Sequence, residues 1–249
     1  MSEDGTITFV PSVHFSPVHR RRVRATIEQR APDLVAVELD DRRFDRLRQN
    51  ARPTTGDLYR NLPPATATAY SVLRTLQRTI VRLYGLDPGK TDMETASETA
   101  ADLDLEVALI DEPVDEIVTA LTERVGPETI PKTMVRAQLL GPDDRMNQLR
   151  MLTMPFQTIE SGDDVEPAIE TMRRLLPEIT EVMIDRRDRA MARRLHRIRR
   201  EGYDVVVIIG AGHHNGIRRE LRTLEGQDVS DVEVPIRRPT RTVTAIPIE

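Results

Sequence analysis

The sequence predicts an α/β fold: a mostly parallel central sheet flanked by helices, with a helical insertion. Three observations predict it. The runs Leu34–Val37 and 205–209 are continuously apolar, the mark of strands covered on both faces, as in parallel sheets. Segments with apolar residues at helical spacing alternate with these runs. Finally, a chemistry-bearing side chain stands at or just beyond the end of each predicted strand: His14, Glu38, Asp111 and His213. In open α/β sheets the carboxyl ends of the strands converge on one crevice, where ligands bind.

The elements follow in order. Residues 6–10 alternate as a strand, and residues 17–30 carry Val18, Val23 and Ile27 at helical spacing behind Pro17, which suits a first helical turn. Leu34–Val37 is the second strand, and 41–50 a helix around Phe44 and Leu47. Pro53, Gly56, Pro63 and Pro64 mark 52–67 as a loop. Residues 69–84 have an apolar stripe (Val72, Leu73, Leu76, Ile80, Leu83) opposite a ridge of Arg74, Arg78 and Arg82, read as a solvated face. A helix over 91–104 leads into strand 106–110, and helices are predicted at 114–125 and 128–140. Residues 141–162 are punctuated by Gly141, Pro142 and Gly162. Two helices run from 163 through Pro177 to 200, followed by strand 205–209 and a helix from about 214 to 224. The tail has two extended runs, 232–236 and 242–248, and their prolines Pro235 and Pro247 place them at a sheet edge. The whole reads as one domain over 1–249, with a helical insertion at about 52–104 and a helical region at about 113–200.

Composition sets limits on function. The chain has 249 residues, 31% of them charged and 3% aromatic, with a net charge of −5. That mild negative charge argues against a general nucleic-acid binder. Cysteine is absent, which excludes disulfides, thiolate metal sites and a cysteine nucleophile. Arg20, Arg21, Arg22 and Arg24 interrupt any signal-peptide core, and no run approaches the 18 or so apolar residues of a membrane span. A cytoplasmic protein is the expectation, and a homo-oligomer is left open.

Several residues are candidates for chemistry. His14, in Pro11-Ser12-Val13-His14, is read either as a site residue or as a loop residue or helix cap. His213, in Gly210-Ala211-Gly212-His213-His214-Asn215-Gly216, follows glycines that permit close backbone approach, and the amides opening the next helix can hold an anion. This glycine pattern is one residue longer than a dinucleotide fingerprint and is not read as one. Glu38 ends an apolar strand, where a carboxylate is costly unless paired. Arg43 is the expected partner, in a structural ion pair or in support of a metal ligand or general base. Arg187 falls on the apolar face of its helix with Ile184, Met191, Leu195 and Ile198, and such an arginine needs a carboxylate or an anionic ligand. Asp111 is read as a site residue or as a cap for the following helix. His19 and His196 lie among arginines and are expected at the surface. Two imidazoles and a carboxylate suit zinc, manganese or cobalt. The same groups also suit metal-free chemistry with histidine as base. His-Glu-x-x-His is absent.

These motifs resemble the TraB/PrgY family, related to GumN and the Tiki proteins. The family pattern has Gly-Thr-x-His after strand 1, Glu-Leu-x-x-x-Arg after strand 2, and Gly-x-Gly-His-x-x-Gly-Ile near the end. Here these are Pro11-Ser12-Val13-His14, Glu38-Leu39-Asp40-Asp41-Arg42-Arg43, and Gly210-Ala211-Gly212-His213-His214-Asn215-Gly216-Ile217. Pro88-Gly89, Met93-Glu94, Asp111 and Arg187-Asp188 are weaker echoes. Pro11 stands where the pattern has glycine, and Glu112 where relatives tend to have arginine. The resemblance implies a fold similar to erythromycin-esterase and ChaN-type proteins. By analogy with Tiki it implies a metal-dependent peptidase, and by analogy with PrgY the sequestration or inactivation of a peptide pheromone at a membrane.

The resulting expectation is a metal-dependent hydrolase of peptide or amide bonds. His14, His213 and Glu38 would be the ligands of a divalent Mn, Co or Zn ion, and Glu38, Arg43 and Arg187 the catalytic set. The alternative is a non-catalytic protein that sequesters a peptide or small signal molecule. Membrane association is implied only by analogy.

Overall fold

The computed structural model describes residues 4–49, 91–143, 146 and 156–240. Its strands are β1 (Ile7–Ser12), β2 (Leu34–Val37), β3 (Glu106–Leu109), β4 (Val205–Gly210) and β5 (Ile236–Arg237). They form one sheet in the order β1-β4-β2-β3-β5. The first four are parallel and β5 runs antiparallel to β3, so the fold is α/β with a mostly parallel sheet, as the apolar strands predict.

Alternation along each strand builds two cores. Val35 and Val37 face one layer with Val206, Ile208, Val107 and Leu109. Helices α1 (Pro17–Arg30), α2 (Asp41–Arg48) and α3 (Asp92–Asp102) cover that face through Val23, Ile27, Phe44, Met93 and Ala96. Leu34 and Ala36 face the other layer. There α8 (Arg186–Arg200) and α9 (Ala211–Leu224) supply Met191, Leu195, Ile198, Ile217 and Leu221. Helices α4 (Val114–Arg124), α5 (Thr129–Gln138), α6 (Glu166–Leu175) and the short α7 (Pro177–Thr180) make up the expected helical region. A π-helical turn, Glu181–Asp185, joins α7 to α8. Insertions of this kind recur at functional sites.

Three expectations change. The tail strand begins at Ile236, not at 232, because Pro235 has no N–H to give the ladder; its carbonyl instead accepts from Leu109 N at 2.9 Å. Helix α9 starts at Ala211 directly after β4, so His213 sits in a helical first turn and not in a loop. His19 and His196 are fully buried. In α1 the series His19, Val23, Ile27 recurs every four residues on the buried face, a spacing that outweighs the neighbouring arginines. Residues 52–90, with the Arg74, Arg78 and Arg82 ridge, and the run 242–248 lie outside the described residues.

Pro11 fits without loss. Val205 N donates to Thr6 O at 2.8 Å. In the register that pairs Pro11 with Ile209, Thr6, Thr8, Val10 and Ser12 therefore bond to β4. Ile7, Phe9 and Pro11 face outward on the edge of the sheet, where proline is tolerated.

Candidate functional site

The carboxyl ends of β1, β2, β3 and β4 bring His14, Glu38, Asp111 and His213 into one buried cluster around Arg187. Glu38 Oε2 accepts from Gly210 N at 2.7 Å, at the junction of β4 and α9. Its Oε1 meets Arg187 Nη2 and lies 3.3 Å from His213 Nε2. Asp111 takes both sides of the guanidinium, with Nε at 2.9 Å and Nη2 at 2.6 Å. Arg187 Nη1 also donates to Met183 O at 3.1 Å, within the π-helical turn. Four of its five N–H donors are thereby committed, and the fifth faces His213 Nε2 at 3.2 Å. Arg187 is the cation that lets two carboxylates be buried together.

Arg43 is not the partner of Glu38. It bonds Asp111 Oδ2 at 2.5 Å and Asp40 Oδ2 at 3.1 Å, because Asp40 caps α2 through Arg43 N at 2.7 Å and turns the side chain toward β3. Asp111 joins the cluster and does not cap α4: Pro113 opens that helix with no side-chain cap. Likewise Ser16, not His14, caps α1.

Each site histidine is held by an aspartate that sequence reasoning did not place. His14 Nδ1 lies 3.1 Å from Asp92 Oδ1, and Asp92 is fixed at the start of α3, with its N–H on His14 O at 3.1 Å and the Ser12 hydroxyl on its carboxylate. His213 Nδ1 lies 2.6 Å from Asp188 Oδ1. The Thr91-x-x-Glu94 capping box marked the helix start beside Asp92, and Asp188 follows Arg187 directly, but neither signal names a partner. The adjacent His214 does different work: its Nδ1 accepts from Gly162 N at 3.0 Å, and burial lowers its pKa, which keeps it an acceptor.

Two glycines are sites of close approach. A Cβ on Gly210 would lie 3.3 Å from both Glu38 Oε2 and His14 Nε2, so these two atoms approach one point beside it. A Cβ on Gly216 would fall 1.7 Å from Asp188 Oδ2. Gly216→Ala is therefore expected to displace Asp188 from His213 and destabilise the fold by about 1–3 kcal/mol, read as a lowered melting temperature; an unchanged melt would show that Asp188 is not held there.

Charge is balanced inside the cluster. Burial alone would raise Glu38, but His213 and Arg187 hold it well below its ordinary pKa. Burial likewise opposes ionisation of Asp111, and Arg187 overcomes it. Burial would lower His14, yet Asp92 and Glu38 lift it to about 9. Glu38 and Asp188 lift His213 to about 9 against burial and Arg187, while burial raises Asp188 itself. His14 is the accessible member, its side chain 39% exposed against 7% for His213.

The family model for TraB/PrgY/gumN matches residues 2–230. The chain belongs to the TraB/PrgY/gumN family. A curated relative, the uncharacterized protein MJ1365 of Methanocaldococcus jannaschii, is 30% identical over 240 residues, 92% of this chain and 56% of the relative. The chain thus spans a little over half the length of that family member. Among the described residues no helix is long and apolar enough to cross a membrane.

The metal that the Tiki resemblance implies can be tested on the donor set. Both Nε2 atoms are left facing the crevice by aspartates on Nδ1, as in metal-bound histidines. However, Arg187 bonds to Glu38 and lies against His213 Nε2, placing a cation where the ion would sit. Among the described residues no three His, Cys, Asp or Glu side chains are grouped to hold a metal. This arrangement does not fit a divalent ion, and no step below passes through one.

Proposed function

We propose that this chain is a hydrolase of peptide or amide bonds, working by acid–base catalysis at the carboxyl ends of the strands. The observation that carries the reading is the approach of Glu38 Oε2 and His14 Nε2 to one point beside Gly210, each 3.3 Å from it. A carboxylate and an imidazolium so placed can take and give a proton at one reacting centre. Family membership and the likeness to Tiki supply the bond class.

In the reaction Glu38 takes a proton from water as the water oxygen bonds to the carbonyl carbon. His14 Nε2–H passes its proton to the departing nitrogen as the C–N bond breaks. The proton on Glu38 then returns to His14 beside Gly210, restoring both groups. Asp92 keeps His14 protonated and oriented. His213, fixed by Asp188, and Arg187 hold Oε1 of Glu38 and leave Oε2 toward the crevice.

Release of new amino termini from a library of acetylated linear hexapeptides tests this, with wild type compared against Gly210→Ala. The added methyl enters the shared point at contacts of 3.3 Å, tight but not a clash. The variant is expected to melt near wild type and to lose turnover. Peptide binding without cleavage by wild type, or equal turnover by both proteins, would overturn the reading.

A further inference from the structure

The outer edge of β1 leads to the crevice, and among the described residues no strand covers its backbone. Ile7 and Phe9 direct their N–H and C=O groups away from β4, as the register requires. A cavity of about 330 Å³ runs along it, lined by Phe9, Val10 and Pro11, by Arg22 and Thr26 of α1, and by Glu160. The outward-facing donors of β1 end at Pro11, which has no N–H and whose carbonyl is taken by Arg22 Nη2. Three residues further along, His14 enters the crevice.

We propose that an extended polypeptide segment docks here by adding a strand to the outer edge of β1, through Ile7 and Phe9. Donors and acceptors that repeat every second residue along an edge match another extended backbone. Arg22 and Glu160 place one charge of each sign on the walls, so the groove favours no strongly charged segment. Edge strands are commonly blunted by proline or charge along their length; here both devices act only at Pro11. The docked chain therefore leaves the ladder at Pro11, and its next residues reach His14. This inference rests on the hydrolase reading only for what happens beyond Pro11.

The test is residue-resolved amide exchange on the full chain, with and without a library of acetylated, proline-free linear hexapeptides. Exchange at Ile7 and Phe9 is expected to slow by about tenfold, the effect of one net hydrogen bond. Hexapeptides N-methylated at every residue, which leave neither edge a donor, are expected to give no protection. Equal protection by both libraries, or none at Ile7 and Phe9, would overturn the proposal. Phe9→Pro removes the outward N–H while sparing the β4 ladder, and Phe9→Ala removes only the ring. Peptide affinity is expected to fall about tenfold further in Phe9→Pro than in Phe9→Ala; equal affinities would contradict strand addition. Protection without cleavage would sink the hydrolase reading alone, and cleavage without protection would sink this docking alone.

Discussion

Replacing Arg187 with methionine is expected to cost about 3–5 kcal/mol of folding stability at pH 7, the penalty for leaving a buried charge without its partner. The methionine fills much of the same volume, so the loss is electrostatic. Glu38 and Asp111 have side chains only 5% and 0% exposed, and each loses its bonds to Arg187 Nη2. Asp111 keeps Arg43; Glu38 keeps Gly210 N and His213. The pH dependence then changes sign. In wild type both carboxylates titrate below their ordinary values, so their contribution is full above about pH 4 and fades as pH falls through the depressed values. In Arg187→Met, with burial unopposed by that cation, their pKa values are expected to rise and the destabilisation to shrink as acid neutralises them. Denaturant unfolding at pH 7 and near pH 4 should therefore show a gap that narrows in acid. A variant as stable as wild type at pH 7 would remove Arg187 from the centre of this account.

How much of this was readable in the sequence depends on the kind of interaction. Leu34–Val37 announces a covered parallel strand, because burial on both faces requires an unbroken apolar run. The same logic places Glu38, Asp111 and His213 at one end of the sheet, since strand order does not alter which ends converge. Arg187 was legible from its place on an apolar helix face. Partner choice was not legible. Glu38 pairs with Arg187, 149 residues away, and not with Arg43, five residues on, because Asp40 captures Arg43 while capping α2. Asp92 was missed because an aspartate in a helix's first turn looks like ordinary N-terminal charge, and Asp188, named only as an echo beside Arg187, because its place in the long helix points to no partner; only the tertiary approach of His14 and His213 gives each its role. His19 was misplaced because neighbouring arginines masked its four-residue spacing with Val23 and Ile27. Its Nδ1 accepts from Val13 N at 2.7 Å and helps fix the turn that carries His14.

Removal of His14 is the second large effect. As general acid it should contribute about 10²–10⁴-fold to turnover, and His14→Ala is expected to lose that amount; its melting temperature is expected to fall as well, because the buried Asp92 loses its charged partner. The wild-type pH profile follows from Asp92 and Glu38, which lift His14 to about 9. Its acid form is present through the neutral range and is lost as pH rises through that value. His213 titrates in the same range, so a profile of wild type alone belongs to both histidines, and the variant is what assigns the limb. A ligand histidine must instead be neutral, so metal-dependent activity rises as the proton leaves. The decisive measurement is kcat/KM for peptide cleavage between pH 5 and pH 10.5, in chelator and then with Mn, Co or Zn added, for wild type and His14→Ala. The account predicts activity in chelator that is level through neutrality and falls above about pH 9, with that fall absent from the residual activity of His14→Ala. Activity that appears only with added metal, and rises through pH 9, would contradict it.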